Sequence, residues 1–131
     1  MRVVLDASAA LKAVLLPARC GSILDTLSTA TTVLAPDLFV AEVTNALWKY
    51  AAAGELTAEE AAVHLEDTLA LVDRLNPSTP MAQEALREAA AFGHSTYDLL
   101  YAIAARREGC AVLTSDRRLS RLLEKMSIPL A

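Results

Sequence analysis

The sequence predicts an α/β protein in which one parallel sheet carries helices over both of its faces. Alanine (26) and leucine (22) dominate the hydrophobic 54% of the 131 residues, against nine Val and three Ile, a balance that favours many helices and few strands. The few β-branched runs alternate with segments of helical spacing, and that order implies parallel pairing through right-handed crossovers. The length suits one hydrophobic core, so a single domain over residues 1–131 is expected.

Arg2-Val3-Val4-Leu5 is a short apolar run ending in Asp6, and Ala7 to Leu16 switches to helical spacing, which gives a strand and then a helix. A further helix is expected over Ser22 to Ser28 and a second strand over Thr32 to Ala35. Pro36-Asp37 then opens a long helix to Gly54. Thr57-Ala-Glu-Glu60 is a capping box that starts the next helix. Near Leu71-Val72 the pattern fits a weak strand ending before Pro77 and fits uninterrupted helix equally well. Thr79-Pro80 begins another helix, which Phe92-Gly93 ends. Ser95 to Arg107 is helical up to Gly109, Ala111 to Thr114 is the third good strand, and Arg118 to Lys125 is a short helix. Ile128-Pro-Leu130 suits an edge strand, where proline is tolerated.

The apolar content is too high and the charge too small for a disordered chain. Cys20 and Cys110 are far apart with no CxxC partner, so neither a disulfide framework nor a thiolate zinc site is expected, and a reducing, cytoplasmic setting fits. Asp6 and Lys12 interrupt the N-terminal apolar run, and no segment reaches the roughly 18 apolar residues of a membrane span, so no membrane partner is expected. The formal charge is -4, unevenly spread: residues 101–131 are locally basic through Arg106, Arg107, Arg117, Arg118, Arg121 and Lys125. Such a cluster forms a solvated helix face or a phosphate-contacting rim.

In parallel sheets ligands bind beyond the carboxyl ends of the strands. Asp6 follows the first strand and Asp116 the third good one, so both should face one edge. Each also has a structural reading as a helix cap, and Asp98 has one in Ser95-Thr-Tyr-Asp98. Glu42 is harder to explain that way, because Glu42, Asn45 and Lys49 form a narrow polar stripe on an otherwise apolar helix. Four carboxylates cannot gather without a cation, since repulsion would protonate some of them. Oxygen ligands without His or thiolate select Mg²⁺ or Mn²⁺. The chemistry that uses such a pocket is hydrolysis of phosphate esters.

The runs Val-Val-Leu-Asp6-Ala-Ser8-Ala-Ala-Leu-Lys, Ala-Pro36-Asp-Leu-Phe-Val-Ala-Glu42-Val-Thr-Asn45-Ala-Leu, Ser95-Thr-Tyr-Asp98-Leu-Leu-Tyr-Ala-Ile-Ala and Val-Leu-Thr114-Ser-Asp116-Arg-Arg-Leu occur in this order. Together they resemble the PIN-domain ribonucleases, and closely the VapC toxins of toxin–antitoxin pairs. The resemblance implies a three-layer α/β/α fold around a central parallel sheet and Mg²⁺- or Mn²⁺-dependent endonucleolytic cleavage of RNA. It also implies a homodimer inhibited by a VapB-type antitoxin. Carried over by position, Asp6, Glu42, Asp98 and Asp116 match the acidic quartet. Ser8, Asn45, Thr96, Thr114 and Ser115 match its supporting hydroxyl and amide residues. Asp6, Glu42 and Asp98 are expected to hold the principal metal, with Asp116 completing the pocket or holding a second ion. Cleavage is expected to leave 5′-phosphate and 3′-hydroxyl ends. Arg106, Arg107, Arg117 and Arg118 are candidates for contacts to RNA phosphates.

Other phosphate chemistries fit less well. Position 8 is Ser where a haloacid-dehalogenase-type phosphatase has a second Asp, there is no GxxxxGK[ST] loop, and a receiver domain would begin with paired acids. The alternatives kept are a housekeeping PIN nuclease and a PIN-fold module that binds a partner or RNA without cutting. Glu55 to Asp73 holds six acids and no Lys or Arg, which reads as a solvated surface or as a docking face for a basic antitoxin segment. His64 lies in that stretch and His94 near Asp98, and both read as surface or cap residues.

Overall fold

The computed structural model describes all 131 residues. Four parallel strands, β1 (Arg2–Leu5), β2 (Thr32–Pro36), β3 (Arg74–Asn76) and β4 (Ala111–Leu113), form one sheet in the order β3-β2-β1-β4. The helices are α1 (Ala7–Leu15), α2 (Gly21–Thr29), α3 (Leu38–Ala52), α4 (Ala58–Leu69), α5 (Ala82–Phe92), α6 (Thr96–Glu108) and α7 (Arg117–Lys125). No helix is long and apolar enough to cross a membrane.

The central strands bury both faces, with side chains alternating between two cores. Val3 and Leu5 of β1, Val33 and Ala35 of β2 and Leu113 of β4 pack against α1 and α3, with α2 and α4 partly covering them. Val4, Leu34 and Val112, the residues between, pack against α5, α6 and α7. This alternation is the period of two of an extended strand, and burial on both faces is what parallel sheets require. Residues 98 to 105 of α6 are all buried, so it lacks the polar face of the other helices.

The connections place the site. From β1 the chain moves outward to β2 and β3, then α5 and α6 carry it across the other face to β4 on the far side of β1. Neighbouring strands β1 and β4 therefore lead their chains in opposite directions, the kind of crevice where open parallel sheets bind ligands. Register completes the arrangement: Leu5 lies opposite Leu113, and the Asp6 amide donates to the Leu113 carbonyl at 3.0 Å, which sets Asp6 beside Thr114.

Three expectations need correction. The third strand in chain order begins at Arg74, after Leu71 and Val72, and is a strand, not continued helix. It has no apolar alternation and is held by backbone pairing to β2 and by the Asp73 carboxylate, which accepts from the Val33 amide at 2.7 Å. Thr79-Pro80 begins a single 3-10 turn, and the α-helix starts at Ala82. Ile128 to Leu130 is no full edge strand: one parallel bridge joins Leu130 to Val112.

Candidate active site

Asp6 stands at the position that caps α1, but its side chain makes no capping hydrogen bond. Its Oδ2 instead accepts from the hydroxyls of Ser8, at 2.5 Å, and Thr114, at 2.7 Å. The residue is 6% exposed. Burial pushes its carboxyl above the usual carboxylate range, the two hydroxyls oppose the rise, and the charge of Asp116 adds to it. The same hydroxyls hold the neighbouring turn together. Ser8 Oγ accepts from the Ser115 amide at 3.1 Å, and Thr114 Oγ1 from the Asp116 amide at 3.0 Å. The structure thus gives Ser8, Thr114 and Ser115 one task, fixing β1 against the turn after β4.

Asp116 does cap its helix: Oδ1 accepts from the amides of Arg118 at 2.8 Å and Leu119 at 3.4 Å. Asp98 lies in the first turn of α6, where its amide donates to the Ser95 hydroxyl at 3.3 Å. Its buried carboxylate accepts from Arg118 Nε at 3.1 Å and has His94 Nδ1 at 3.8 Å. Glu42, half-buried in the second turn of α3, accepts from the Tyr101 hydroxyl at 2.6 Å. That bond joins the two helical layers. Burial raises the Glu42 carboxyl, Tyr101 opposes the rise, and the charges of Asp6, Asp98 and Asp116 add to it. Tyr101 is itself pushed far above the ordinary phenol range, by burial first and then by the charges of Glu42 and Asp6, so it remains a neutral donor.

Glu42 therefore lies within electrostatic reach of the other three acids, and Asp6 within reach of Asp116, at the carboxyl edge of the sheet. Asp6 and Glu42 have only neutral hydroxyl partners. A buried carboxylate without a cationic partner is costly, and this hard-oxygen donor set suits a divalent cation such as Mg²⁺ or Mn²⁺. No group of three or more His, Cys, Asp or Glu side chains is drawn close enough to form a ready-made cage. Asn45 is exposed one turn beyond Glu42, and Thr96 opens α6.

The basic residues divide. Arg118 reaches the site and Arg117 precedes it on α7. Arg106 and Arg107 lie away from it, eight and nine residues along α6 from Asp98, which is about 12 Å of helix rise or more. There they are tied to α5: Arg106 pairs with Glu84 and with Glu88 at 2.6 Å, and Arg107 with Glu84 at 2.8 Å. Reading the C-terminal third as one basic patch overlooked that Glu84 and Glu88 recur at helical spacing opposite them. Tyr101 was the residue that sequence reasoning missed. Its signal was its place one turn after Asp98, three residues on, on the same helix face.

The family model of the PIN domain matches residues 3–125. The chain belongs to the PIN-domain family. Among solved structures, the crystal structure of PAE2754 from Pyrobaculum aerophilum is similar at 31% identity and a TM-score of 0.71, covering 95% of this chain and 87% of that one. The crystal structure of VapBC2 from Rickettsia felis, bound to a DNA fragment from their promoter, shares the fold at 18% identity and a TM-score of 0.66, over 98% of this chain and 94% of that one. No curated protein matches.

Proposed function

We propose that this PIN domain is a Mg²⁺- or Mn²⁺-dependent endoribonuclease, the toxin of a VapBC-type pair. The observation that carries the nuclease reading is the convergence of Asp6, Glu42, Asp98 and Asp116 on one sheet edge, with burial raising Asp6 and Glu42. PIN domains are generally nucleases, which supports hydrolysis as the class of reaction. Bound between these carboxylates, a divalent cation would supply a water of lowered pKa and charge stabilisation for the phosphoryl oxygens.

The chain's own residues supply the rest. Asp6, Glu42 and Asp98 hold the cation, and Asp116 completes the pocket. Ser8 and Thr114 aim the Asp6 carboxylate, and Tyr101 aims that of Glu42. Arg117 and Arg118, at the start of α7, meet the RNA backbone; Arg106 and Arg107, engaged with α5, do not. Such contacts bind phosphates without reading bases. The toxin reading, with its VapB-type antitoxin, rests on the sequence motifs and accords with the shared fold of VapBC2; a homodimer and a cytoplasmic setting belong to that reading as expectations.

Purified protein should cleave single-stranded RNA with Mn²⁺ or Mg²⁺, leave 5′-phosphate ends, and lose activity with EDTA. Wild-type cleavage by Asp6→Asn would refute the site. A non-catalytic module has one observation in its favour, the lack of a ready-made three-ligand cage. Calorimetry with Mn²⁺ separates the two, because a module that only binds a partner has no need to hold a cation. Co-purification of a small protein encoded directly upstream tests the toxin reading by itself.

A further inference from the structure

Among the Lys and Arg side chains, Arg118 is the one that pairs with a pocket acid. It is the second residue of α7, and its backbone amide is pinned by the Asp116 carboxylate that caps the helix. Its side chain is 62% exposed, whereas that of Asp98 is 10% exposed. Contact is through Nε to one oxygen, at 3.1 Å, and is not the two-pronged fork that makes guanidinium–carboxylate pairs strong. A buried carboxylate thus has a long, mostly solvated arm on a single bond as its one hydrogen-bonded cation, with the His94 Nδ1 3.8 Å from the same oxygen. Such a pair satisfies Asp98, and its arginine arm, mostly solvated and on one bond, is free to leave once another cation takes over the compensation of the buried carboxylate. Asp6 and Glu42, by contrast, have hydroxyl partners that leave them acceptors for a cation.

We propose that Arg118 is a resident counter-ion that competes with the divalent cation for Asp98. A guanidinium and a divalent ion repel, and both cannot sit on the same carboxylate oxygen. Loading the pocket therefore displaces Arg118, and the strength of the Arg118–Asp98 pair sets the metal concentration at which loading occurs. This rests on the metallonuclease reading above. It makes Arg118 a positioning residue that acts through Asp98.

The test is calorimetric titration of Mn²⁺ into the wild-type protein, Arg118→Gln and Arg121→Gln, with thermal melts to confirm that each is folded. Arg121 lies one turn further along α7 and pairs with no acid, so its removal controls for loss of one positive charge from that helix. Arg118→Gln should bind Mn²⁺ roughly fivefold more tightly, and Arg121→Gln less than twofold. Equal or weaker binding by Arg118→Gln, or the same gain from both variants, overturns the proposal and leaves the nuclease reading standing. Failure of all three proteins to bind Mn²⁺ overturns the nuclease reading, and this proposal falls with it. A second measurement uses the wild-type protein alone: the Arg118 Nε–H resonance should move as Mg²⁺ is added. If the metal binds and that resonance stays fixed, the arm was never displaced.

Discussion

At the scale of single residues, the pocket trades stability for chemistry. Asp6 is buried with two hydroxyl donors and no cation, so its charge is tolerated only at a cost. Asp6→Asn should lower RNA cleavage by roughly a hundredfold or more. In the metal-free protein it should raise stability by about 1 kcal/mol, near 4 °C in melting temperature. Cleavage assays and thermal melts with EDTA check the two halves separately. Tyr101→Phe removes the single hydrogen bond donated to Glu42, which lets burial raise that carboxyl further. Its metal affinity should fall about tenfold, as on losing an outer partner of a metal ligand. Mn²⁺ titration reads it directly. The four acids were legible in the sequence because each follows a strand or lies in an early helical turn. Their clasps were legible only in part: Ser8 and Thr114 meet through strand register, which pairs positions more than a hundred residues apart.

Elements differ in how closely they are tied to the site. The start of α4 has a complete capping box, in which Thr57 and Glu60 exchange backbone and side-chain hydrogen bonds at 3.0 Å. Thr57→Ala should cost about 1 kcal/mol of stability and leave cleavage unchanged, since α4 contributes no pocket residue. The start of α6 is different: the Ser95 hydroxyl accepts from the amide of Asp98 itself. Ser95→Ala should cost a similar amount of stability and also lower cleavage, because the first turn that aims Asp98 loosens. Paired melts and cleavage assays on both variants separate a cap that serves the fold from one that serves the pocket. The helices were well marked by caps and stops, among them Gly109, whose φ of +64° ends α6 in the left-handed region. The third strand was poorly marked, because Arg74-Leu75-Asn76 is chosen by the neighbouring strand and not by its own composition.

For the whole molecule, the charge of the pocket couples folding to pH and, on the proposed reading, to metal. Burial raises Asp6 and Glu42, so the metal-free native state retains protons that the unfolded chain has already released. The stability this confers is full below the ordinary carboxylate range and is lost as pH rises through the raised values. On the proposed reading Mg²⁺ would bind the ionised form and should restore it. The melting temperature with saturating Mg²⁺ should exceed that with EDTA at neutral pH, and the difference should shrink as the solution is acidified. Scanning calorimetry at several pH values, with and without Mg²⁺, measures both effects. The architecture itself was readable in outline, because strands alternating with helices leave few arrangements open. The two-core packing was less so, since short apolar runs do not say which residue faces which layer.

The unbroken burial of α6 sets a boundary on what this fold can become. Asp98 and Tyr101 lie within eight consecutive residues that have no solvent-facing position. A change of volume at any of them is felt in the packing around the acids as well as in the core. Novelty in substrate choice must therefore arise elsewhere, at exposed positions of α3, α4 and α7 whose side chains make no bond to that helix. The protein is built as a fixed axle with replaceable outer parts.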